Sequence, residues 1–185
     1  MARRRSHPGT MRPPTARADV RALIMAAILI GALGYYGYKY FTAKPLPPLT
    51  GIATVADGDT IEIDGTRIRL EGIDAPELDQ TCQDVNKKSW PCGRAALRAV
   101  RGHIQGYELR CDPKGLDQFK RVLGVCFMMP DGSDLNAWIV QQGWALAYGH
   151  AQVYRSEQDE AQSAKRGIWA GTFTPPREWR QQHPR

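Results

Sequence analysis

The chain has 185 residues, 42% of them hydrophobic, with four cysteines and a formal net charge of +6. That length suits one folded domain plus an appendage and limits how many sites the chain can hold. The charge is uneven: residues 1–49 carry eight of the 25 basic residues and one of the 19 acidic ones, leaving 17 against 18 for the remainder. The pI near 9.3 therefore belongs to the N-terminal arm and excludes an argument from bulk charge that the folded part binds nucleic acid.

After an Arg-rich opening, residues 22–38 form an uncharged, mostly apolar run that ends in tyrosines, A-L-I-M-A-A-I-L-I-G-A-L-G-Y-Y-G-Y. It approaches the roughly 20 residues that a membrane helix needs, and tyrosine favours the membrane interface. The reading is a basic cytoplasmic arm at 1–21, a single transmembrane signal-anchor at 22–41 and a Pro-rich linker at 42–49. Arginines before the run and few charges just after it predict a cytoplasmic N-terminus, with the domain on the periplasmic or extracellular side. A cleaved signal peptide shares the charged start and apolar core. No convincing small-x-small cleavage site follows the run, so an uncleaved anchor is preferred. A buried core helix fits poorly, because the run is apolar on all sides.

The next stretch, residues 54–77, reads T-V-A-D-G-D-T-I-E-I-D-G-T-R-I-R-L-E-G-I-D-A-P-E. Ile61 and Ile63 alternate with Glu62 and Asp64, and Ile68 and Leu70 with Arg67, Arg69 and Glu71, the period of half-buried strands. Asp64-Gly65 between them favours a two-residue turn that pairs Ile61 with Ile68 and brings Asp59 close to Leu70. Pro76 lacks an amide donor and ends the ladder. Three carboxylates, Asp59, Asp74 and Glu77, are thereby expected at one end of the hairpin. Simple alternation puts Arg69 on the opposite face from Asp59, so barrel curvature or a bulge is needed to join them.

Four cysteines in an exported domain suggest disulfides. Cys111 ends the strand-like Y-E-L-R and Cys126 lies in V-L-G-V-C-F; antiparallel pairing sets these two opposite each other and leaves Cys82 to join Cys92. A zinc site is the alternative, but there is no C-x-x-C pair and no suitably spaced histidine. Ser89-Trp90-Pro91 marks a helix start, with Ala96, Val100 and Ile104 as its apolar stripe. Ser133 or Asp134 caps a second helix that Gly143 ends, and a third runs from about Val153 to Arg166, stopping at Gly167. Short strands followed by helices predict a mainly β fold with α (α+β): a small OB-type barrel with packed helices.

The segments V-A-D-G-D-T-I, R-I-R-L-E-G-I-D-A-P-E, D-Q-F-K-R-V-L, D-L-N-A-W-I-V-Q-Q-G-W-A and G-I-W, in this order, resemble the staphylococcal nuclease (thermonuclease) family. The resemblance covers roughly residues 49–169 and implies a five-stranded OB barrel with about three helices over 50–170, leaving 171–185 as a C-terminal tail. It further implies a nuclease, in mode an endonuclease, acting on DNA and/or RNA with calcium (Ca2+) and no organic cofactor. By motif, Asp59 and Asp74 resemble the calcium carboxylates, Ala75 gives a backbone carbonyl ligand, Glu77 matches the general base, and Arg69 and Arg121 match the phosphate-binding arginines.

Hard oxygen ligands suit calcium, and the planar, permanently charged arginine fork suits phosphate oxygens. Taken singly, Asp59 reads as a turn aspartate, and Arg69 or Glu77 as a solvated charge. His103 and His150 read as incidental, and Trp138, Trp144 and Trp169 as core, while Phe119 or Tyr148 could touch a base or phosphate. Where the family has Asp-x-Tyr-Gly-Arg, this chain has Asp117-Gln118-Phe119-Lys120-Arg121, which loses a hydroxyl and a flexible glycine. The near-zero charge of the domain also predicts weak non-specific DNA binding. The alternative is a catalytically weak or inactive OB module that holds nucleic acid or a protein partner at the membrane.

Overall fold

A computed structural model describes residues 20–42, 46–149 and 153–184. Most of the basic arm, linker residues 43–45 and His150 lie outside them. The chain divides into two compact units, Met1–Lys44 and Pro45–Arg185. In the first, α1 (Val20–Thr42) is one continuous helix, and its segment Val20–Tyr38 is long and apolar enough to cross a membrane, with no part of it buried by protein. A signal sequence near an N-terminus has the same character.

The second unit is built on five strands: β1 (Leu49–Asp57), β2 (Thr60–Ile63), β3 (Thr66–Leu70), β4 (Glu108–Leu116) and β5 (Val122–Met128). They lie in the order β3-β2-β1-β4-β5, and β3 pairs with β5 to close the barrel. That closing pair is parallel, with Ile68 beside Val122 and Leu70 beside Gly124. The fold is therefore the OB-type barrel that the sequence predicts, with no long open edge left on β3. The hairpin register is also as expected. Asp64 and Gly65 take positive φ of 46° and 76°, Ile61 faces Ile68, and the Leu70 N–H donates to the Asp59 carbonyl at 2.8 Å.

Ile61, Ile63, Ile68, Leu70, Leu109, Val100, Leu135 and Ile139 join in one buried core, so the alternating strand residues and the helical stripes meet the same apolar centre. Three helices match the expected ones: α2 (Cys92–Ile104), α3 (Leu135–Gln141) and α4 (Arg155–Ser163). Ser89-Trp90, read as a helix start, instead pairs with Cys82-Gln83 as a short two-stranded ladder, and α2 begins just after it. Asp134 caps α3 by accepting from the Ala137 N–H at 2.9 Å. The α4 helix stops short of the expected Arg166 because Lys165 turns left-handed, with φ 51°, and the Arg166 N–H bonds back to the Ala161 carbonyl. Residues 176–182, within the segment read as a tail, form a further helix, α5 (Pro176–Gln182).

Both expected disulfides are present, Cys82–Cys92 and Cys111–Cys126, the second joining directly paired residues of β4 and β5. Cys82 and Cys92 sit with Ile168 in a second apolar cluster that Trp90, Trp169 and Phe173 flank. Next to it, Thr172 and Gln83 exchange backbone hydrogen bonds of 2.8 and 3.0 Å. The disulfide loop thus grips the segment that leads into α5.

Candidate active site

The D-G-D-T motif is a turn whose geometry depends on its glycine. A Cβ on Gly58 would come within 2.7 Å of the Ala75 Cβ, so only glycine lets the turn pack against the I-D-A-P segment. Asp57 accepts from the Asp59 N–H at 3.1 Å, which steers the Asp59 side chain inward. There Asp59 Oδ2 accepts from the Ala75 N–H at 3.1 Å, and Oδ1 pairs with Arg69 Nη1 at 2.7 Å. Arg69 Nη2 reaches Asp74 Oδ1 at 3.1 Å.

The bulge needed to join Arg69 and Asp59 is present. Asp59 lies in the turn between β1 and β2 rather than on a strand, the ladder shifts register between Val55 and Asp57, and Arg69 stands opposite Thr60 at the start of β2. Strand alternation does not carry through a turn, so it does not govern Asp59.

Asp59 and Asp74 are 5% and 3% exposed. Burial pushes the Asp59 carboxyl up from an ordinary 3.8 to about 7, a rise that Arg69 opposes only in part. Burial alone would lower the Arg69 guanidinium, but Asp59 and Asp74 outweigh it and hold the group above its ordinary value.

Glu77 is placed by its backbone. Its N–H donates to Gln80 Oε1 at 3.2 Å, and a Cβ on Gly93 would sit 1.7 Å from the Glu77 carbonyl oxygen, so α2 abuts this loop at a distance only glycine permits. Arg121 stands across the cleft, its Nε on Asp117 Oδ2 at 2.7 Å and its guanidinium 5.6 Å from the Phe119 ring centre. Lys120 takes a positive φ of 63°, a backbone shape that glycine adopts without strain.

The sequence reading does not find Arg180. From α5 it forks onto Asp74, with Nη1 to Oδ1 at 3.0 Å and Nη2 to Oδ2 at 3.1 Å, while Nη1 also reaches Glu77 Oε1 at 2.9 Å. Burial works against its charge, yet Asp74 and Glu77 hold the guanidinium above its ordinary value. The available signal was T-P-P before R-E-W-R, with proline at the first helical position.

Asp59, Arg69, Ala75, Glu77, Arg121, Phe119, Tyr148, Trp179 and Arg180 all line one cleft of about 820 Å³. Asp74 lies directly behind it, bonded to both Arg69 and Arg180. His103 is elsewhere, stacked on Trp138 with ring centres 3.6 Å apart. Trp138 and Trp144 flank the main core.

Buried carboxylates are hard oxygen donors of the kind a hard divalent cation takes, and the raised Asp59 value marks a carboxyl whose charge Arg69 alone does not balance. The residues fit calcium, although among the described residues no three acids, histidines or cysteines converge on one point. Two arginines hold them instead.

Residues 67–171 match the sequence model described as Staphylococcal nuclease homologue. That span contains Arg69, Asp74, Ala75, Glu77 and Arg121, whereas Asp59 and Arg180 fall outside it. The chain is 38% identical over 125 residues to the succinoglycan biosynthesis protein ExoI of Rhizobium meliloti, covering 66% of this chain and 65% of that one. It is 31% identical over 140 residues to an uncharacterized endonuclease of Escherichia coli, covering 70% and 82%. A similar uncharacterized endonuclease of Haemophilus influenzae is 29% identical over 140 residues, covering 71% and 72%. With its closed barrel, its acid and arginine cleft and a match over more than half its length, the chain belongs to the staphylococcal nuclease homologue family and, with relatives named endonucleases, is a nuclease, a phosphodiesterase.

Proposed function

We propose that this nuclease hydrolyses the phosphodiester bonds of DNA and/or RNA with calcium as its cofactor, outside the cytoplasmic membrane to which α1 anchors it. The observation that carries this reading is the meeting of Asp59, Asp74 and Arg69 in one buried cluster on a cleft that Glu77 and Arg121 also line. Asp59, Asp74 and the Ala75 carbonyl would hold the cation. Bound there, calcium supplies a Lewis acid for a phosphate oxygen and a more acidic water.

The protein's own groups do the rest. Glu77, fixed through Gln80 and Gly93, takes the proton of the attacking water. Arg69 and Arg121 place their forks on the phosphate oxygens and balance the charge that grows there in the transition state. To do so Arg121 turns from Asp117, its partner at the cleft edge, towards the substrate. Phe119, 69% exposed, and Tyr148, 46% exposed, border the same cleft and offer faces for unstacked bases.

The basic arm and the disulfides support the topology, since arginines before a span favour the cytoplasmic side and disulfides persist outside it. The test is to incubate the purified full chain, in detergent, with DNA and with RNA, in calcium or in chelator. Cleavage in calcium that Asp59→Ala abolishes is the expected result. Equal binding in both conditions with no cleavage would leave only a tethered binding module.

A further inference from the structure

We propose that Arg180 is an internal competitor for the cation, a guanidinium on α5 that occupies Asp74 and Glu77 until calcium displaces it; the proposal rests on the calcium reading above. Arg180 contacts both oxygens of Asp74, at 3.0 and 3.1 Å, and Arg69 already shares Oδ1 at 3.1 Å. Asp74 therefore has no oxygen without a guanidinium on it, and it is almost wholly buried, where charges are poorly screened. A divalent cation and a guanidinium on one such carboxylate repel each other. Arg69 is also tied to Asp59 and its side chain is only 20% exposed, against 38% for Arg180, so Arg180 is the guanidinium the cation displaces more readily.

The segment that carries it has anchors of its own. Gln80 Nε2 donates to the Thr174 carbonyl at 2.7 Å, Thr172 pairs with Gln83, and the Cys82–Cys92 disulfide closes the loop behind them. The guanidinium can therefore swing off Asp74 and Glu77 while α5 stays docked, ready to return when the cation departs. Arg180 also lies beyond the matched span 67–171, so the device is carried by the segment after the barrel and its family motifs.

The experiment measures calcium affinity by isothermal titration calorimetry on the full chain in detergent, at fixed ionic strength and without nucleic acid. Arg180→Ala and Arg180→Gln should each bind calcium about tenfold more tightly than the wild type, because a like charge is removed from the site. Arg180→Lys should fall between. Arg177→Ala, exposed on the same helix, should match the wild type. A neutral variant that folds and binds calcium equally or more weakly, beside a wild type that binds it, overturns the assignment of Arg180 and leaves the calcium reading standing. No calcium binding by any of these proteins overturns both.

Discussion

Asp59 carries an electrostatic conflict, a carboxyl that is almost wholly buried and only partly balanced by one arginine. Its folded value of about 7 lies above the ordinary 3.8, so the folded state holds the proton more tightly than the unfolded chain. Its contribution to stability is complete below about 4 and is lost as pH rises through about 7. Thermal melts of the full chain in chelator should accordingly give a lower Tm at pH 8 than at pH 5.5, and Asp59→Asn should flatten that slope. Glu77 is tested by rate rather than stability. Glu77→Gln should lower turnover roughly 100- to 10,000-fold with nucleic-acid affinity little changed, as single-turnover kinetics and filter binding would show. Arg121→Lys should also slow turnover, since a point charge replaces a bidentate fork. That Asp59 and Glu77 lie near one another on one cleft was legible because one short hairpin with a strongly signalled turn sets their spacing; Asp74 lies behind it, bonded to Arg69. The Arg69 contact with Asp59 was legible only as one needing a bulge, because the alternation rule describes strands and Asp59 sits in a turn.

At the scale of elements, the Asp64-Gly65 hairpin was readable down to its register because two left-handed residues admit few turns. The end of α4 was not, since Lys165 rather than the expected Gly167 makes the reversal. Lys120 is a second lysine in the left-handed region, at φ 63°, in the turn that presents Arg121. A side chain there costs about 1–2 kcal/mol, partly offset by the greater chain entropy that glycine loses. Lys120→Gly should therefore stabilise the protein by about 0.5–1 kcal/mol in denaturant melts. The α5 helix was hidden for another reason. It is seven residues long, too short for a clear periodic stripe, and its decisive contacts span 103 and 106 residues. Nothing local in R-E-W-R says which acids its arginine will meet.

At the scale of the whole molecule, the two disulfides have separate mechanical roles. Cys111–Cys126 staples two barrel strands, whereas Cys82–Cys92 backs the loop that holds residues 172–174. Removing either should cost roughly 3 kcal/mol in the chain-entropy account. Only Cys82→Ala with Cys92→Ala should speed hydrogen exchange in 176–182, and the Cys111→Ala, Cys126→Ala pair should leave that helix protected. Mass-spectrometric exchange distinguishes the two. For the anchor, protease added to right-side-out spheroplasts should cut the nuclease unit, and protection would reverse the orientation. The position of Arg180 in the chain also matters to biosynthesis. Synthesis proceeds from the N-terminus, so the barrel strands emerge well before residue 180. Until then Asp74 and Glu77 lack Arg180, and the Cys82–Cys92 loop lacks the segment it grips. A half-made chain thus carries the acids of the site without the helix that answers them, and the cleft takes its described form only once synthesis has passed that helix.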